Sequence, residues 1–138
     1  MKSLPIVAWA ALVPLAAPLS TAAEQLSPEI EEAMESFCAL PAKLLPVLSS
    51  VTDKATADAA AEPLYRELSG VYEVCDAMRG IRQLTPEQSA LVRKRYEMRM
   101  RTEWGKLYEQ IFRLQRAQCY YSTAFNKQFQ TLIMMLEQ

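Results

Sequence analysis

Apolar side chains recur at alternating spacings of four and three through the first half of the chain: Ile30, Met34, Phe37, Pro41, Leu44, Leu48 and Val51. The spacing resumes after a short polar stretch with Ala57, Ala61, Leu64, Leu68, Val71, Cys75 and Met78. Positions three and four apart stack on one face of an α-helix, so each run predicts a helix with a single apolar seam. Two seams flanking a short turn predict an antiparallel hairpin closed seam to seam in the manner of a coiled coil. A third seam follows at Met100, Trp104, Leu107, Ile111 and Leu114, and its spacing continues to Gln118, Tyr121 and Phe125. It keeps phase across Gly105, which predicts one long third helix. Phe125, Phe129, Leu132, Ile133 and Leu136 then mark a short amphipathic helix at the C-terminus. The expected fold is all-α: a helical hairpin, a long third helix and a short last one.

Start and stop signals place the ends. Ser27-Pro28-Glu29 supplies a cap, a proline suited to the first turn and an acid for the positive end of the helix dipole. Pro41 and Pro46 fall inside the first seam, so a bent helix or two short ones is expected there. Thr56 is the expected cap of the second helix, Pro63 its expected kink, and Gly80 its left-handed stop. Leu84-Thr85-Pro86-Glu87-Gln88 opens the third helix with a capping box between Thr85 and Gln88. Tyr120-Tyr121-Ser122 interrupts before the last helix, with Ser122 as its cap.

Residues 1–23 read differently. Met1-Lys2 gives a positive start, Leu4 to Leu19 is apolar and uncharged, and Thr21-Ala22-Ala23 is a small-residue cleavage site. This predicts a secretory signal peptide, a periplasmic or secreted protein, and a single helical domain over residues 24–138. Nothing after the leader is long and apolar enough to span a bilayer.

Composition narrows the chemistry. The chain has no histidine, which removes the commonest general base and metal ligand together. No nucleophile–base pair, glycine-rich phosphate loop or Cys-x-x-Cys is present. Met98, Met100, Met134 and Met135 sit at helical spacing and read as core rather than as soft-metal ligands. No enzymatic activity, catalytic residue, metal or cofactor is expected. Tyr108, Tyr120 and Tyr121 read, with Trp104, as an aromatic layer.

Charge is uneven. Residues 24–78 hold eleven acidic and three basic side chains, and residues 79–138 hold five acidic and eleven basic. Arg93, Lys94, Arg95, Arg99 and Arg101 form the densest basic stretch, a candidate surface for an anionic partner. An up-down-up path brings that stretch to the end of the bundle that holds Glu29, Glu31, Glu32 and Glu35. An internal acid–base match is therefore expected, and nucleic acid is not an expected partner. A protein partner or self-association is.

Three cysteines in an exported chain suggest one disulfide and one free thiol. With tight turns between helices, Cys38 and Cys75 differ in height by roughly 7 Å. That is close to the Cα separation of about 6.8 Å that a bridge tolerates. Cys38–Cys75 is the expected pair and Cys119 the expected free thiol.

Two resemblances arise. Asp53-Lys54-Ala55-Thr56-Ala57-Asp58-Ala59-Ala60-Ala61 together with Tyr120-Tyr121-Ser122 resembles a group of small exported bacterial all-helical proteins of unknown function. In that group the second motif more often reads aromatic-Gly-Ser, so Tyr121 stands at the glycine position. Leu84-Thr85-Pro86-Glu87-Gln88 is similar to the LTxxQ motif of a family of periplasmic helical chaperones and stress regulators. Leu26-Ser27-Pro28-Glu29-Ile30 stands as a second copy lacking the glutamine. The first likeness carries no known activity, and the expected role is that of an exported, non-enzymatic structural or interaction module. The second implies a surface that holds unfolding clients.

Overall fold

The computed structural model describes residues 25–81 and 83–137, and the expected signal peptide lies outside them. Every regular element among them is helical: α1 (Pro28–Ser49), α2 (Lys54–Gly80), α3 (Pro86–Arg116), a 3-10 turn (Gln118–Tyr121) and α4 (Thr123–Glu137). None of these helices is long and apolar enough to cross a membrane.

The helix starts follow the local signals with one shift. Ser27 accepts a hydrogen bond from the Ile30 amide, and Thr85 and Gln88 close the expected capping box. α2 begins earlier than expected, at Lys54, because Asp53 is its cap. The Asp53 carboxylate accepts from the Thr56 amide at 2.8 Å, and Thr56 Oγ1 accepts from the Asp53 amide at 2.9 Å. The amide and the hydroxyl of Thr56, both donating to the exposed Asp53 carboxylate, hold that carboxyl below its ordinary pKa. Thr56 therefore completes a capping box from inside the helix. At the other end α2 stops at Gly80 as expected, but no glycine has a positive φ. The stop is right-handed: the Ile81 amide donates to the Met78 carbonyl.

α1 is one uninterrupted helix despite Pro41 and Pro46. Pro41 has no N–H to offer the Phe37 carbonyl one turn back. The indole Nε1–H of Trp104 takes that place, donating to Phe37 O at 2.9 Å. A long-range partner thus repairs the backbone where the proline would break it. The Phe37 and Trp104 rings stack over the same spot with centroids 4.5 Å apart. At Pro46 the bereft carbonyl belongs to Ala42, an exposed residue that water can reach.

α1 packs against both α2 and α3, and α4 packs on α2. α1 and α3 run parallel in constant register. Arg95 bonds Glu31 and Arg99 bonds Glu35, each 64 residues away, and Arg113 bonds the Leu48 carbonyl 65 residues away. α4 starts beside Asp58, near the beginning of α2, and its packing on α2 then requires the two to run parallel. At ~1.5 Å per residue α4 reaches about 22 Å along α2, which is about 40 Å long.

Two clusters make the core. The larger joins all four helices, from Leu40, Leu44 and Leu64 to Leu107, Phe125 and Phe129. The smaller holds Leu26, Ile30, Met34, Cys38 and Tyr96 where α4 does not reach, and Met100 packs against both. The third seam follows expectation as far as Leu114, but Gln118 and Tyr121 are exposed because α3 ends at Arg116. Gly105 sits in mid-helix and exposed, where glycine costs about 1 kcal/mol relative to alanine.

Candidate functional site

The corner between α3 and α4 gathers the least ordinary backbone in the molecule. Gln118, Cys119, Tyr120 and Tyr121 have φ of 52°, 51°, 53° and 62°, one left-handed turn built without glycine. Each such residue costs roughly 1–2 kcal/mol, so the surrounding structure must over-determine the turn. The anchors are visible. Cys119 and Ser122 are buried. Ser122 Oγ donates to the Asp58 carboxylate and accepts from the Phe125 amide at 3.2 Å, capping α4 as expected.

Arg113 holds the other side. Its guanidinium donates to the Leu48 and Val51 carbonyls at 2.9 and 2.8 Å, to the Tyr120 hydroxyl at 3.2 Å and to Gln110 at 2.9 Å. A cation on the last carbonyls of α1 satisfies groups that have no helical partner and complements the negative end of the dipole. Asp58 and Ser122 come from the two motifs singled out in the sequence, 64 residues apart, and they meet here. Arg113 was not singled out; as one arginine in a basic half it carries no distinguishing local pattern.

What the corner presents outward is Tyr121, 76% exposed. Beside it lies an open cleft of about 460 Å³. Gln115, Gln118, Asn126 and Gln130 give it four amide side chains, and none of the described residues lining it is charged. The aromatic layer expected around Trp104 is therefore split. Tyr108 does stand beside Trp104, at 5.9 Å between centroids, but Tyr120 is tied to Arg113 and Tyr121 stands out into solvent. The chain leaves the helical path before Tyr120, so helical spacing could not place those two.

The basic stretch divides. Arg95 pairs with Glu31 at 3.3 Å and Arg99 with Glu35 at 2.9 Å, the expected match between acidic α1 and basic α3. Arg101 pairs with Glu97 at 2.8 Å, leaving Arg93 and Lys94 exposed without an ion pair among the described residues. Glu29 and Glu32 face elsewhere, along a groove of about 760 Å³ between α1 and α2 that Glu73 and Asp76 also line.

The expected Cys38–Cys75 disulfide is not formed; Cys38, Cys75 and Cys119 are all free thiols. Cys38 belongs to the small cluster with Tyr96 and feels Arg99, whereas Cys75 packs against the larger cluster and feels Arg79. Matching heights on two helices did not give matching faces. Burial pushes all three thiols up, Cys119 to about 11, so they stay protonated at neutral pH. Among the described residues no group of three or more His, Cys, Asp and Glu could hold a metal ion.

The chain matches no family model, no curated protein and no solved structure.

Proposed function

We propose that this is an exported, non-enzymatic helical module that binds a protein partner through the α3–α4 corner. The observation that carries the reading is the left-handed turn over Gln118–Tyr121, held by Asp58, Arg113 and Ser122 while it displays Tyr121 beside an amide-lined cleft. Backbone strain of this kind persists where it serves something other than stability. An exposed tyrosine with neutral amides around it suits a peptide surface, offering stacking area and paired donors and acceptors. Export rests on the leader-like residues 1–23.

The likeness to small exported helical proteins gains support from the same place. Its two motifs touch through Asp58 and Ser122, and Tyr121, at the position where that group more often has glycine, has the φ that glycine adopts without cost. The client-holding chaperone reading ranks lower. Thr85 and Gln88 are used locally as a capping box, so their motif calls for no client surface.

A photo-cross-linking side chain at position 121, introduced into the protein in its native cell, tests the proposal. A discrete adduct from position 121, and none from the exposed position 66 on α2, is expected. No adduct, or the same smear from both positions, would refute a specific site at the corner. Sub-stoichiometric protection of a denatured client from aggregation would move the reading to the chaperone.

A further inference from the structure

The outer face of α3 carries a pattern that the fold does not use. Met98 and Phe112 are 74% and 52% exposed, and each lies seven residues from Gly105 on one stripe of the helix. Gly105 itself is exposed, its φ is not positive, and a Cβ added there would meet nothing within 4 Å. Nothing among the described residues asks for a glycine at that position. Arg101 and Glu109, of opposite charge, lie four residues to either side of it.

The stripe is complementary to itself when reversed. A two-fold axis through Gly105, perpendicular to α3, pairs residues equidistant from that glycine. Met98 then faces Phe112 of the second copy, Arg101 faces its Glu109, and glycine meets glycine where the helices cross. We propose that the chain forms a symmetric dimer by an antiparallel α3–α3 crossing centred on Gly105. Missing side chains at the crossing let the two backbones approach. That approach drives each Phe112 ring onto the Met98 thioether opposite, a favourable sulfur–aromatic contact. Both contacts occur twice, as an isologous interface requires.

Charge selects the same register. Arg101 and Glu109 are both exposed, and among the described residues Arg101 makes only the solvent-exposed pair with Glu97. Lys94 and Arg116 are also equidistant from Gly105, but about 16 Å along the helix, where inclined helices have separated. Tyr108, 41% exposed and stacked against Phe112 at 6.2 Å, stiffens the ridge. The surface is separate from the cleft beside Tyr121, so the dimer does not rest on the partner-binding reading.

Sedimentation equilibrium on the purified protein tests the proposal, with circular dichroism to confirm that each variant stays folded. A single helix crossing is a small interface, so a dissociation constant of about 1–100 µM is expected. Phe112→Asp should weaken association at least tenfold, and Gly105→Leu, a better helix former, should do the same without loss of helicity. Arg101→Glu should weaken it as well, and the double variant Arg101→Glu/Glu109→Arg should restore it. Gly105→Cys should form a disulfide-linked dimer under mild oxidation where the wild type does not. A wild type that stays monomeric through that concentration range, a dimer indifferent to Phe112→Asp, a failure of the charge swap to rescue, or no cross-link from Gly105→Cys would each overturn the proposal.

Discussion

At the end of the bundle that α4 covers, Leu44, Leu64, Leu107, Phe125 and Phe129 are fully enclosed by four helices. At the opposite end three helices meet, and Leu26, Ile30, Met34, Cys38 and Tyr96 are surrounded by Met78, Ile81, Leu84, Leu91 and Val92, all only half-buried. The difference comes from length: starting beside Asp58, α4 stops roughly 10 Å short of the end of α2. Three helices leave one side of their apolar seam open, and the chain compensates with charge, laying Arg95 and Arg99 across Glu31 and Glu35. Such half-exposed pairs contribute little energy. The four-helix end relies instead on Arg113 donating to buried carbonyls and on Ser122 tied to Asp58. One end is fastened by desolvated hydrogen bonds and packing. The other is aligned by exposed charge.

The most damaging way to probe this contrast is to remove core volume at each end. Phe129→Ala should cost about 3–5 kcal/mol, and Leu91→Ala, half-buried in the three-helix cluster, about 1–2 kcal/mol. Urea unfolding curves measure both, and equal losses would break the comparison.

The two kinds of arginine make a finer test. Arg113→Met should cost about 1–3 kcal/mol because it strands the Val51 carbonyl and leaves the Leu48 carbonyl to the Val51 amide at 3.3 Å, with no dependence on salt. Arg99→Met gives up an exposed pair with Glu35 and should cost less than about 1 kcal/mol, vanishing at high ionic strength. A salt series on the two variants separates them.

The smallest effect concerns local opening. Cys38 and Cys119 are both buried, one at each end. If the three-helix end opens more readily, native-state alkylation should label the half-buried Cys75 first, Cys38 next and Cys119 last. Cys119 labelled ahead of Cys38 would reverse the ranking of the two ends.

What the sequence made legible, and what it did not, divides along physical lines. Seams, the caps of α1, α3 and α4, and the acid–base match between α1 and α3 were readable because each depends on spacing within one helix or on summed charge. The continuity of α1 through Pro41 was not, because the remedy comes from Trp104, 67 residues away from the carbonyl it serves. The corner was half legible. Ser122 announces a helix start, but a left-handed run of Gln, Cys, Tyr and Tyr has no glycine or asparagine to signal it. The cysteine pairing failed for a related reason: axial rise fixes height along a bundle and leaves the facing of each side chain open.

The indole bond to Phe37 has one more consequence. Trp104 is the sole tryptophan among the described residues, buried, hydrogen-bonded and stacked on a phenylalanine. In protein lacking residues 1–23, and with them Trp9, intrinsic fluorescence comes from tryptophan at one place alone. Its emission should be blue-shifted while α1 and α3 are joined and should move to the red when they part, whatever the helices themselves still do. The residue that mends the proline break is thereby a built-in optical gauge of the α1–α3 seam, against which loss of helicity can be timed.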